Sequence, residues 1–189
     1  GKLPTAVELT AYRKKLRSLR GLPYTVRRVM EQLPAATHPM DVLRTYTSVL
    51  GGVMPERDDH QPEEARELAD RLLSSFASAL LYWYHFAHHG RQIDVETDDE
   101  TIGGHFLHLL HGRVPDERWS NAMAISLNLY AEHEFNASTF TARVIAGTGA
   151  DLYSCITGAI GALRGPKHGG ANEVAHEIQR RYADPEEAE

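Results

Sequence analysis

Two histidines at breaks between helical patterns are the residues of this 189-residue chain best suited to chemistry. His133 lies in the stretch AEHEFNASTF, and His168 lies in the stretch GPKHGGANE. A helix end leaves backbone N–H groups without partners, so groups placed there can bind an anionic ligand. Imidazole also exchanges protons near neutral pH. We therefore expect the two rings to face each other across one pocket and to handle the protons of a reaction at a carbonyl group.

The local sequence around each histidine also permits a purely structural role. Carboxylates flank His133 and favour its charged form, whereas burial would disfavour that form. The alternative for His133 is a hydrogen-bonded histidine at a helix junction. Pro166 fixes the backbone before His168, and Gly169 and Gly170 leave room for a ligand beside the backbone. The alternative for His168 is a turn histidine ahead of a helix.

Three further histidines, His105, His108 and His111, crowd together in the stretch IGGHFLHLLHG. At 100° per residue they spread over about 120° of helix surface. One helix cannot bring three side chains so spread onto a tetrahedral ion. We therefore predict no metal site here.

The elements that must position these histidines are all predicted to be helices. Thr5 and Glu8 have the spacing of a capping box at the start of the first helix. The clearest helix carries apolar residues at steps of three and four over residues 65–83 and ends at Gly90. No alternating strand pattern is present. The sequence therefore predicts an all-α array of about nine helices.

Several boundaries of these helices are predicted from their caps and breakers. Gly51 and Gly52 are expected to stop a helix that starts at Pro39 or Met40. Further helices are expected to start at residues 97–100, at residues 115–116, at Ser138 or Thr139, at residue 152 and near Gly169.

Composition restricts the class of protein. Hydrophobic residues make up 42% and charged residues 24% of the chain, which is usual for a globular protein with a buried core. The net charge of −6 argues against nucleic-acid binding, and no apolar run is long enough to cross a membrane. The single cysteine, Cys155, permits no intramolecular disulfide, as expected in a reducing cytoplasm.

The two histidine motifs, together with YWYHFAHHG and TDDETIGGHFLHLLHG, resemble the citrate synthase family, especially its 2-methylcitrate synthase branch. The resemblance runs through essentially the whole chain and is strongest over residues 97–174. Family members are much longer, so we expect an incomplete piece of a multi-helical citrate synthase-like array. Residues 1–189 would be one helical piece, mostly from the large domain, with residues 165–189 beginning the small domain.

The resemblance implies condensation of propionyl-CoA, or acetyl-CoA, with oxaloacetate to give 2-methylcitrate, or citrate, and CoA. No cofactor is implied, because the acyl-CoA is a substrate, and a homodimer is implied. His133 would stabilise the enolate of the acyl-CoA and His168 would protonate the ketone of oxaloacetate. His105 would hold the carboxylate side of oxaloacetate. The implied CoA-binding residues are Leu163, Gly165 and Lys167.

One part of the family pattern has no match in this sequence. The family uses an aspartate, in a segment not found here, to remove a proton from the α-carbon of the acyl-CoA. We therefore expect the isolated chain to have little or no activity. The alternatives are citrate synthase proper and a non-catalytic helical dimerisation module, for which Gly158 and Gly161 would suit a tight helix contact.

Overall fold

The computed structural model describes residues 2–57, 62–131 and 134–188, and these ranges contain ten helices and no strand. In chain order the helices are α1 (Ala6–Ser18), α2 (Tyr24–Met30), α3 (Pro39–Val53), α4 (Pro62–His89), α5 (Ile102–His111), α6 (Glu117–Tyr130), α7 (Ala137–Ala146), α8 (Leu152–Leu163), α9 (Gly170–Gln179) and the four-residue α10 (Pro185–Ala188). The predicted all-α fold is confirmed. The capping box of Thr5 and Glu8 is also present, and Gly90 has the positive φ of a residue that ends a helix.

Helix α4 is the centre of the packing, because it contacts α1, α2, α3 and α5. Its apolar stripe buries Leu72, Leu81 and Trp83, and fully burying a side chain of this size contributes about 1.5–3 kcal/mol. Serines fill the positions where neighbouring helices approach. Among them, the buried Ser75 hydroxyl lies 2.5 Å from the Tyr46 hydroxyl of α3. The outer helices are attached to this centre in two series, α6 on α5, and α7 on α8 on α3.

The contacts of α8 with α3 and α7 depend on two glycines. A methyl group on Gly51 of α3 would lie 2.9 Å from Cβ of Tyr153, and one on Gly158 of α8 would lie 2.2 Å from Cδ1 of Ile145. The tight helix contact expected at Gly158 is therefore present, with α7 as the neighbour. At Gly161 the nearest neighbour of an added methyl group is the Arg44 side chain, 4.0 Å away, so that glycine makes no comparably tight contact.

The predicted end of α3 was wrong. The helix continues through Gly51 and Gly52 to Val53. Glycine inside a helix costs about 1 kcal/mol relative to alanine. At Gly51 the packing of Tyr153 against the helix offsets that cost, and only a residue without a Cβ permits this packing.

Two predicted helix starts also differ from the structure. Residues 97–100 precede α5, whose N-cap is Thr101, because the Thr97 and Asp99 side chains bind His105 and His108 instead of capping a helix. Helix α7 is capped by Asn136, not by Ser138 or Thr139 as predicted. The Asn136 side-chain oxygen accepts the N–H of residue 139 at 2.9 Å.

Adjacent glycines in α3 permit a matched test of this packing. Gly51→Ala should lower the free energy of unfolding by about 1–3 kcal/mol, because the methyl group overlaps Tyr153. Gly52→Ala should raise it by about 0.5–1 kcal/mol, because an added methyl group there meets no atom within 4 Å and alanine favours a helix. Urea-induced unfolding of both variants measures the difference. Equal effects of the two substitutions would contradict the packing argument.

Candidate functional site

A cavity of about 770 Å³ opens where several helices begin or end close together. Its wall is formed by the starts of α3 and α7, the ends of α6 and α8, and the turn that leads into α9. The side chains relevant to chemistry in this wall are those of His38, Tyr130, Ser138, Arg164, His168 and Glu173. Three helices begin at the cavity, and the positive ends of their dipoles favour an anionic ligand.

His168 is oriented by a short chain of hydrogen bonds from the start of α7. The Ser138 hydroxyl donates to Oδ1 of Asn136 at 2.7 Å, which leaves the serine oxygen as an acceptor. Nε2 of His168 lies 3.1 Å from that oxygen, and we therefore assign the ring proton to Nε2. Within the described residues Nδ1 of His168 has no hydrogen-bond partner. It is the nitrogen available to a ligand in the cavity.

The turn that carries His168 is held by backbone hydrogen bonds. The N–H of Gly169 donates to the carbonyl of Leu163 at 2.9 Å, and the N–H of His168 donates to the carbonyl of Gly165 at 3.0 Å. A methyl group on Gly169 would lie 2.2 Å from the Leu163 oxygen. From sequence, this glycine was predicted to leave space for a ligand. The structure shows that the space beside it is occupied by the chain's own backbone.

His133 lies outside the described residues, so its pairing with His168 stays a prediction. The described residues on both sides of it, Tyr130 and Asn136, line the same cavity as His168. Of the predicted CoA-binding residues, Leu163 lines the cavity, while Gly165 and Lys167 belong to the adjoining turn. Their role in binding CoA also stays a prediction.

His105 does not line the cavity of His168 and is completely buried between α4 and the residues that precede α5. The Thr97 hydroxyl donates a hydrogen bond to Asp99 at 2.5 Å, so the Thr97 oxygen accepts a hydrogen bond from the Nδ1–H of His105 at 3.0 Å. Nε2 of His105 then accepts the Ser78 hydroxyl, also at 3.0 Å. Both ring nitrogens are engaged within the protein, and the predicted contact with oxaloacetate remains untested.

Burial lowers the pKa of His105 to about 4, with the nearby Arg20 charge acting in the same direction. Nδ1 of the neighbouring His108 is bonded to Asp99 at 2.8 Å. Across the part of the chain that the structure describes, no group of three His, Cys, Asp or Glu side chains is arranged to hold a metal ion. The described helices also include none that is both long and apolar enough to cross a membrane.

The residues predicted from sequence did not include three side chains of the cavity wall: His38, Arg164 and Glu173. His38 directly precedes Pro39 and caps α3, a position at which serine, threonine, aspartate and asparagine are usual. The unusual capping residue was therefore a signal in the sequence that could have identified His38 as a candidate site residue. Nε of Arg164 lies 3.5 Å from the Asp41 carboxylate, a contact between residues far apart in the chain that no local pattern indicates.

Protonation of His105 should make stability depend on pH. Its pKa is about 4 in the folded protein and near 6.5 when unfolded, so the unfolded state binds more protons between these values. Ionisation of this histidine should therefore have no effect on stability above about pH 6.5 and should lower the free energy of unfolding by about 3 kcal/mol as the pH falls to 4. The slope of unfolding free energy against pH should be shallower in His105→Gln and unchanged in His176→Gln, a variant of an exposed histidine. NMR titration of the His105 ring near pH 6.5 would contradict this.

Comparison with known proteins finds similarity over the whole chain. Residues 1–189 match the family model described as "Citrate synthase, C-terminal domain". The 2-methylcitrate synthase of Shewanella oneidensis is 55% identical over 188 residues, which cover 100% of this chain and 49% of that protein. The citrate synthase of Deinococcus radiodurans is 40% identical over 173 residues, 92% of this chain and 46% of that protein.

A solved structure shows the same similarity in three dimensions. It is the ternary complex of carboxymethyl coenzyme A and oxaloacetate with the citrate synthase of Thermoplasma acidophilum. The TM-score is 0.87 at 27% sequence identity, and the match covers 98% of this chain and 48% of that one. The chain thus spans about half the length of the relatives that it matches.

Proposed function

Because the chain belongs to the citrate synthase family, we propose that the protein containing it condenses an acyl-CoA with oxaloacetate and releases CoA. Propionyl-CoA would give 2-methylcitrate and acetyl-CoA would give citrate. The observation that carries the proposal is the placement of His168 at a cavity formed by helix starts, with its Nδ1 directed to no described protein group. The Thermoplasma relative, described with a CoA analogue and oxaloacetate, supports these two substrates.

The proposed chemistry assigns His168 to the oxaloacetate ketone. As the new carbon–carbon bond forms, the ketone oxygen becomes an alkoxide and takes a proton from Nδ1 of His168. Nε2 keeps its hydrogen bond to Ser138, so the acid is the doubly protonated ring, and the positive helix ends favour the anionic substrate. His133 would stabilise the enolate of the acyl-CoA. Hydrolysis of the thioester then frees CoA, and no additional cofactor enters the proposal.

The remaining predicted contacts form part of the same proposal. Binding of an oxaloacetate carboxylate by His105 requires one ring nitrogen to exchange its bond to Ser78 or Thr97 for one to the ligand. Leu163, Gly165 and Lys167 would contact CoA, with the exposed lysine suited to a phosphate. A cytoplasmic location stays a prediction.

The names of the relatives support a preference between the two acyl-CoA substrates. The 55% identical relative is named for 2-methylcitrate and the 40% identical one for citrate, so we propose propionyl-CoA as the better substrate. One methylene group changes discrimination by only about 1–3 kcal/mol. Citrate synthase proper therefore remains the alternative, and kcat/KM for the two acyl-CoAs in the complete protein distinguishes them.

Replacement of His168 tests the proposed acid. In the complete protein, His168→Asn should lower kcat for thiol release from propionyl-CoA and oxaloacetate by about 10²–10⁴-fold, because the proton donor is lost. His176→Asn, the same change at an exposed histidine of α9, should change kcat less than about twofold. The 189-residue chain alone should show little or no turnover, because the proton-abstracting aspartate has no match in it. Wild-type kcat in His168→Asn would overturn the assignment.

A second proposal concerns assembly, with α6 and α7 as the interface of a homodimer. Neither helix buries any residue in the described structure. Their exposed apolar side chains include Trp119, Ile125, Leu129, Phe140 and Val144, each more than half exposed. Large apolar side chains left exposed on two helices indicate an interaction surface, and two-fold dimers are the commonest assembly. This surface also supports the alternative of a non-catalytic dimerisation module.

A charge placed in this surface tests the dimer. Ile125→Lys should convert the complete protein from dimer to monomer, because the interface would bury an unpaired ammonium group. Gln179→Lys, at an exposed position of α9 outside the proposed interface, should leave the dimer intact. Light scattering coupled to size-exclusion chromatography measures both masses. An unchanged mass for Ile125→Lys would contradict the proposed interface.

A further inference from the structure

His38 and Glu173 connect the start of α3 to the first turn of α9, and both side chains line the cavity of His168. Nε2 of His38 lies 2.5 Å from Oε1 of Glu173. Nδ1 of the same ring accepts the N–H of Met40 at 3.1 Å. Because Nδ1 is an acceptor, the ring proton lies on Nε2 and is donated to the carboxylate. The backbone of α3 thus holds the imidazole in the orientation that binds α9.

Helix α9 has little other attachment to the protein. Its described side chains from Glu173 onward are exposed. Within the described residues, the His38–Glu173 hydrogen bond is the one side-chain hydrogen bond that connects α9 to another helix. The backbone bonds at the start of α9 reach only the turn over residues 165–170. The position of α9 relative to α3 is therefore set largely by this single contact.

That turn also carries His168, whose hydrogen bond to Ser138 is the contact of its side chain with α7. A movement of α9 away from α3 pulls on the turn and so on the His168 ring. We infer that His38 is a positioning residue, which keeps His168 against Ser138 by holding Glu173 across the cavity wall. The catalytic consequence rests on the proposed function, whereas the contact itself does not.

Charge gives His38 a second effect on the same site. Glu173 is a carboxylate in the wall of a cavity proposed to bind anionic substrates. Donation from His38 engages one oxygen of that carboxylate and neutralises part of its repulsion of a like charge. Loss of His38 therefore both frees α9 and exposes a negative charge to the substrates. Loss of the Glu173 carboxylate frees α9 only, and this difference separates the two effects.

Three variants of the complete protein test the inference. His38→Asn keeps a side chain suited to capping α3 but is too short to bind Glu173. Glu173→Ala removes the acceptor, whereas Glu173→Gln retains an oxygen that can accept the His38 proton. His38→Asn and Glu173→Ala should each lower kcat about tenfold, with no further loss in the double variant, because they break one interaction. Glu173→Gln should restore most of kcat, and only His38→Asn should also raise KM for oxaloacetate.

Hydrogen–deuterium exchange provides a measurement that does not depend on activity. Amides over residues 165–179 should exchange faster in His38→Asn and Glu173→Ala than in wild type. Glu177→Ala, which removes an exposed carboxylate one turn further along α9, should leave both exchange and kcat unchanged. Absence of acyl-CoA condensation by the wild-type protein would refute the proposed function, while faster exchange in the two variants would still support the contact. Wild-type exchange in both variants, or additive losses in the double variant, would overturn the inference.

Discussion

Close packing of α8 between α3 and α7 is the constraint on which the cavity depends. Gly51 admits Cβ of Tyr153 against α3 at a distance that a larger residue would not permit, and Gly158 leaves the space that the end of the Ile145 side chain occupies against α8. This packing brings the end of α8 next to the starts of α3 and α7. The turn after α8 then presents His168 to Ser138. The position of His168 therefore depends on helix packing at two glycines, Gly51 of α3 and Gly158 of α8.

The surroundings of a histidine decide what its ring can do, and this chain shows two opposite cases. His105 is sealed in the protein with hydroxyl groups at both nitrogens, and burial keeps it neutral by lowering its pKa. Such a ring fixes the loop before α5 against α4. His168 lies at a cavity with one nitrogen bonded to Ser138 and the other directed to no described group. Only the second arrangement leaves a nitrogen ready to exchange a proton with a bound molecule.

The charged groups of the cavity wall are paired across helices. Arg164 at the end of α8 faces Asp41 of α3, and Glu173 of α9 accepts a hydrogen bond from His38. Pairing lowers the cost of holding these charges beside one another. Because these side-chain charges are paired, the positive ends of the helix dipoles still favour an anion in the cavity. The same side chains therefore hold the helices together and set the charge of the cavity wall.

Local sequence determined most of the helices. The capping box of Thr5 and Glu8, and the helix-ending Gly90, act through hydrogen bonds and backbone angles within a few residues, so their patterns could be interpreted directly. The motif of His168 was also recognisable from sequence. Tertiary structure alone decided that α3 continues through its glycines and that residues 97–100 bind histidines instead of starting a helix.

 Tertiary structure also decided that His38 and Glu173 meet in the cavity wall. The physical reason is that these contacts join residues distant in the chain, and no local hydrogen bond or backbone preference records which distant side chain will arrive.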